Sequence, residues 1–286
     1  MLKSKTSRWL AGPYLLWMAI FTVVPLVIVV WYAMTNADGQ FTLDNLTQIG
    51  RYSSVFARSL ILAAISTVVC LVMAFPVGYF LSRLRANKQH IMLMLIMLPM
   101  WMNFLLRTYS WMAILENNGL LNQLFRKIGL IALYNNIFGT DISFFRMINT
   151  QGAVVLGMVY NYLPFMILPI YSVIVKLDHS LIEAARDLGA NSVQVFRRVI
   201  LPLSLPGVLS GITMVFVPSV STFAISKMLG GGTEMLLGDL IEQQYMGGAY
   251  NPYLGAAISL VMMVIVVICM VVMNRFGDEE EEVVTL

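Results

Sequence analysis

Long, nearly uncharged apolar runs recur along the chain, and no other feature narrows its fold as far. A helix needs about 20 mostly apolar residues to cross a hydrocarbon layer about 30 Å thick. Runs of that kind occupy residues 10–35, 59–82, 91–115, 151–176, 206–227 and 253–273. They predict an all-α integral membrane protein with about six transmembrane helices. Composition agrees, with 12% of residues charged and 59% hydrophobic, where a soluble domain carries about 25% charged residues.

The third run contains Arg107, and an arginine at mid-bilayer costs about 2.5–3.5 kcal/mol, so its membrane part is expected to end near Leu106. The first follows Lys3, Lys5 and Arg8, as a secretory signal would. Its apolar stretch is longer than a signal core and no small-residue cleavage pattern follows, so it reads as a retained helix. Basic residues near the span ends gather on one side: Lys3, Lys5, Arg8, Arg83, Arg85, Lys88, Lys176, Arg186, Arg197, Arg198 and Arg275. The positive-inside rule makes that side the cytoplasm. Residues 1–9 are then a cytoplasmic N-terminus, 10–276 the transmembrane domain and 277–286 an acidic cytoplasmic tail, in a cell (inner or plasma) membrane.

Several chemistries are excluded. Cys70 and Cys269 sit in separate spans, and His90 and His179 lie in separate loops with no second ligand at metal spacing, so no metal site is expected. No hydrolase elbow, P-loop or zinc-protease pattern occurs, and the glycines at 230–232 lack the Lys-Ser/Thr that phosphate binding needs. The chain reads as non-catalytic and without a cofactor of its own. Its energy must come from a partner or an ion gradient. A net charge of +3 is too small to argue for a polyanionic partner.

Pro25, Pro76, Pro99, Pro164, Pro169 and Pro218 fall within the spans, where they remove backbone bonds and suit helices that move or line a cavity. Trp101, Asn103, Arg107, Tyr109, Trp111, Tyr160 and Asn161 cluster near predicted outer ends. Aromatic residues there commonly form an interfacial belt, whereas buried amides seek partners or water.

One polar stretch stands apart. In residues 180–206, Ser180 is a candidate N-cap, with Leu181, Ile182, Ala185 and Leu188 on one face and Glu183, Arg186 and Asp187 on the other. Gly189 suits a left-handed C-terminal cap. Asn191 or Ser192 can start a second helix with Val193, Phe196 and Ile200 inward, ended by Pro202 and Pro206. A helix-turn-helix reader of DNA, in a membrane-anchored regulator, has this local form. A recognition helix must enter the major groove, however, and this one is tied to the bilayer at both ends without a wider basic patch. Nucleic acid is therefore not the expected partner. A purely structural amphipathic hairpin is the other plain reading.

Glu183-Ala184-Ala185, Gly189 and Leu201-Pro202 resemble the EAA loop of ABC-importer permeases, with Val199 where isoleucine is frequent. The resemblance implies a type I importer (MetI-like) permease fold in which this loop is a cytoplasmic coupling helix. Glu183, Ala184, Ala185, Arg186, Asp187, Gly189, Leu201 and Pro202 would then contact an ATPase dimer, which binds the ATP and Mg. It also implies a second homologous permease subunit and an extracytoplasmic substrate-binding protein.

The segments LPMWMNFLLRTYSWMAIL, YNYLPFMILPIYSVIVKLD and GDLIEQQYMGGAYNPYLGAAIS resemble the spermidine/putrescine permeases of that family. Permeases for sulfate, molybdate, phosphate, iron and thiamine share the loop and remain the alternative. A polyamine path calls for aromatic faces and carboxylates: Trp101, Tyr109, Trp111, Tyr160 and Phe223 are candidates for the faces, Asn103 is a further path residue, and the carboxylates Glu116, Asp141, Glu234, Asp239 and Glu242 all lie in expected outer loops. Lys227 opposes a cation path unless it pairs with Glu242 after the glycine turn; snorkelling to the headgroups is the equal alternative. The amphipathic piece at 120–133 is expected to cap the outer face.

Overall fold

The computed structural model describes residues 13–232 and 234–284. Lys3, Lys5, Arg8 and the side chains of the acidic tail lie outside the described residues. In chain order the helices are α1 (Pro13–Ala33), α2 (Asp44–Ser82), α3 (Ala86–Trp101), α4 (Phe104–Leu115), α5 (Leu120–Lys127), α6 (Leu130–Phe138) and α7 (Gln151–Ile174). They continue with α8 (His179–Asp187), α9 (Ser192–Leu203), α10 (Leu205–Ser221), α11 (Ala224–Leu229), α12 (Leu237–Met246) and α13 (Pro252–Val284).

Among the described residues, four segments are long and apolar enough to cross a membrane: Pro13–Ala33, Asp44–Ser82, Gln151–Ile174 and Pro252–Met273. Two bent pairs bring the number to six if each is one span. Ala86–Trp101 meets Phe104–Lys127 at 88°, and Ser192–Leu203 meets Leu205–Ser221 at 64°. The third run is thus not the continuous helix its composition suggests. Met102 and Asn103 leave helical geometry, and the Asn103 side chain accepts from the Leu105 and Leu106 amides at 2.8 and 3.4 Å, starting a new helix. The helix of the expected fifth span, α10, also stops early, at Ser221, because Thr222 is extended. Lys227 accordingly sits on the short α11 and not at the end of a continuous fifth span.

The described residues divide into two compact units. The first contains the described residues up to Ser54 together with Leu240–Val267. Its small core packs Ala33 on Ala256 and Ala257, flanked by Val29, Leu46, Ile49 and Leu260. Buried Asn45 donates to the Ala33 and Thr35 carbonyls at 3.2 and 2.9 Å, satisfying acceptors left open where α1 ends.

The second unit runs over Val55–Asp239 and Ile268–Leu286. Its spine is α7. One half of α7, through Met166, Ile167 and Ile170, packs with Cys70 and Phe75 of α2 and Val208 and Val215 of α10. The other half, through Val154 and Met158, packs with Leu62, Leu115, Ile225 and Leu229. Lipid tails are as apolar as these side chains, so helix association in a bilayer relies on close packing. Gly207 and Gly211 supply it one turn apart on α10. A Cβ on Gly207 would lie 2.7 Å from the Pro169 carbonyl oxygen, and one on Gly211 2.6 Å from the Met166 sulfur.

Candidate coupling hairpin and translocation path

Helices α8 and α9 form the hairpin expected at 180–206. Its first cap is Asp178, not Ser180: the Asp178 carboxylate accepts from the Ser180 amide at 2.9 Å, so the helix begins at His179. At the other end Gly189 has φ +83°, and the Ala190 amide returns to the Ala185 carbonyl at 3.0 Å. That closes the turn as a left-handed helix stop. Asn191 and Gln194 then form a reciprocal capping box, each side chain accepting the other's amide at 2.9 and 2.8 Å.

The buried face differs from the expected one. Ile182 is buried and Ala185 half-buried, whereas Leu181 and Leu188 are exposed. On α9 the inward residues are Val195 and Ile200, while Val193 is exposed. Residues Phe196–Ile200 form a π turn, and its wider turn aligns positions five apart. Phe196 lies at the boundary, edge-on to Phe75 at 5.3 Å.

The hairpin is consequently two-sided. Ile182, Val195 and Ile200 belong to the same core cluster as α2, α7 and α10. Facing outward are Leu188 at 89% and Val193 at 72% exposure, with Glu183, Ala184, Arg186, Asp187, Gly189, Leu201 and Pro202 also exposed. A cavity of about 310 Å³ opens between Ala185, Leu188, Gly189, Val195 and Arg198. Such a surface combines apolar anchors with charge and glycine-fixed geometry.

Among the path candidates of the second unit, two aromatic rings meet. Trp111 of α4 and Tyr160 of α7 meet with ring centroids 5.4 Å apart. Trp101 and Tyr109 are exposed, Asn103 is a helix cap, Phe223 is exposed in the break before α11, and Lys227 is exposed on α11. Glu242 is half-buried on α12, in the first unit.

Arg107, one turn before Trp111, is only 9% exposed, and its Nε and Nη1 have no hydrogen-bond partner among the described residues. Asn161 donates to the Gly157 carbonyl at 2.8 Å, and its buried Oδ1 has no partner among the described residues. The sequence reading missed the ion pair of Arg58 and Glu234, 3.2 Å apart, with Gln151 donating to the same carboxylate at 3.1 Å. No local pattern announces that pair. The Gly207-xxx-Gly211 spacing, by contrast, was available as a small-residue packing signal.

The chain matches the model of the binding-protein-dependent transport system inner membrane component over residues 1–278. It is 36% identical over 256 residues to the spermidine/putrescine transport system permease protein PotB of Escherichia coli, covering 87% of this chain and 89% of that protein. To the protein of the same name from Haemophilus influenzae it is 35% identical over 256 residues, covering 87% and 86%. A crystal structure of a bacterial ABC transporter involved in the import of the acidic polysaccharide alginate superposes with a TM-score of 0.78 at 14% identity, covering 96% of this chain and 95% of that one. At that identity the likeness establishes the fold, that of an ABC-importer permease. With a family match along nearly its whole length and close to nine-tenths of the chain aligned to two permeases, this multi-pass membrane protein belongs to the binding-protein-dependent transport system inner membrane components.

Proposed function

We propose that this chain is the non-catalytic permease subunit of an ATP-driven polyamine importer, forming half of a translocation path with a second permease. The observation that carries the coupling role is the two-sided hairpin: an exposed Leu188–Val193 face for an ATPase subunit and an Ile182–Val195–Ile200 face anchored in the core of α2, α7 and α10. Movement imposed on the outer face by ATP-driven closure of a motor pair would reach α7 and α10 as a rigid shift, because a packed core transmits displacement. ATP and Mg belong to that motor pair, both termini lie in the cytoplasm, and an external binding protein delivers the solute.

Spermidine and putrescine are the favoured solutes because the relatives that carry those names align over 87% of the chain. The Trp111–Tyr160 pair offers ring faces to an alkylammonium. One observation favours a second reading, import of a small anion such as sulfate, molybdate or phosphate: the buried Arg107 guanidinium, whose Nε and Nη1 have no hydrogen-bond partner among the described residues, would suit an anion better than a polycation. A competition assay separates the two. Labelled spermidine uptake by the complete transporter should be blocked by excess putrescine and untouched by sulfate, molybdate or phosphate. Inhibition by an anion alone, or no spermidine uptake, would sink the polyamine reading.

A further inference from the structure

We propose that the first unit carries a second binding site, a tyrosine cage for a primary ammonium group, built from Tyr32, Tyr245, Tyr250 and Tyr253. A cavity of about 950 Å³ opens where α1 ends and α13 begins. Its wall collects four of the chain's 12 tyrosines and holds no charged side chain. Tyr32 and Tyr253 stack with centroids 5.3 Å apart. An interfacial belt accounts for tyrosines at the ends of spans, but not for their convergence on one cavity from α1, α12, α13 and the loop between the last two.

The wall selects a ligand class. Ring faces attract a cation lying within about 6 Å of their centroids. The phenol oxygens, and the free lone pair of an Asn251 side-chain oxygen that already accepts from Leu254 at 3.1 Å, can receive ammonium hydrogens. Ile28, Val29 and Ala256 give the rest of the wall an apolar surface for methylene groups. Asp38 adjoins the lining residue Ala37 and is exposed. Its charge favours a cation at the mouth, and an anion would find no cationic side chain in the wall.

A primary ammonium reaches this position from two sources: a polyamine, which rests on the function proposed above, or the ethanolamine headgroup of a bilayer lipid. Equilibrium dialysis of radiolabelled spermidine against the full-length chain in uncharged maltoside micelles tests the first source. Mass spectrometry of phosphatidylethanolamine retained on purification tests the second. The comparison is native chain, Tyr32→Leu with Tyr253→Leu, Tyr32→Phe with Tyr253→Phe, and Ala37→Trp, which fills the cavity without removing a core residue.

If the cage holds the polyamine, the leucine pair and Ala37→Trp weaken spermidine binding about fivefold or more, while the phenylalanine pair stays within about twofold. If it holds lipid, spermidine binding is equal throughout, and retained phosphatidylethanolamine falls in the same two variants. The cage is refuted if neither ligand distinguishes native chain from Ala37→Trp, or if the phenylalanine pair loses as much as the leucine pair. Spermidine uptake by the complete native transporter is measured alongside. Uptake with an indifferent cavity removes the cage alone, and lipid retention without uptake removes the polyamine reading alone.

Discussion

Trp111 and Tyr160 meet edge to face, their planes 69° apart, and so join α4 to α7 beside the buried Arg107. Such a pair adds about 0.5–1.5 kcal/mol beyond the area it buries. A double-mutant cycle with Trp111→Ala and Tyr160→Ala, read by thermal unfolding of the solubilised chain, should return a coupling in that range. A coupling near zero would mean that the rings merely lie close.

Close packing of α10 on α7 makes Gly207 the less replaceable of its two glycines. Gly207→Ala drives a Cβ against the Pro169 carbonyl, a backbone atom, whereas Gly211→Ala meets the Met166 thioether, which can turn aside. We expect Gly207→Ala to cost about 1–3 kcal/mol and Gly211→Ala clearly less. Equal melting temperatures for the two variants would contradict the packing described.

At the hairpin turn Gly189 holds φ +83° with nothing within 4 Å of a Cβ built there. Any penalty for Gly189→Ala is therefore conformational, about 1–2 kcal/mol, and Gly189→Asn should recover part of it because asparagine tolerates that geometry. Limited proteolysis of the α8–α9 turn would rank the three side chains. Alanine as resistant as glycine would show that the turn is not left-handed.

Arg107 places a charge out of water with two donor nitrogens unmatched. Arg107→Met should raise the stability of the isolated chain by about 1–3 kcal/mol, while Arg107→Lys should not, because only the former removes the unpaired charge. A destabilised methionine variant would reveal that the guanidinium is satisfied in the native chain.

The two faces of the hairpin predict opposite mutant behaviour. Leu188→Asp and Val193→Asp alter exposed positions, so the chain should fold and melt as before yet fail to co-purify with the ATPase subunit proposed above. Ile182→Asp buries an unpaired carboxylate in the core and should fail to fold. Normal ATPase recovery with Leu188→Asp would remove the docking face.

Membrane spans were legible because composition and length decide them almost alone. Their breaks were not: Asn103 looks like any polar residue in an apolar run, and its work as a cap depends on the backbone turning there. Lys227 was misplaced for the same reason, since the extended Thr222 that ends α10 gives no sequence warning. Gly189 and a cap at Asn191 were readable from local chemistry, though the sequence left Ser192 as an equal choice and did not reveal the reciprocal bond with Gln194. The inward face of α9 was legible only at Ile200: ordinary helical spacing also selects Val193 and Phe196, whereas beside the π turn it is Val195 that is buried with Ile200. Arg58 and Glu234 lie far apart in sequence, beyond the reach of any local rule.

The most direct test of the account is ATP-driven uptake of radiolabelled spermidine into vesicles carrying the complete transporter, with the native chain compared against Glu183→Arg and Gly189→Pro. The account predicts uptake that requires ATP and is lost in both variants while the chain remains folded in the membrane. Undiminished uptake with both variants would contradict coupling through the hairpin, and native vesicles that hydrolyse ATP but move no polyamine would contradict the solute.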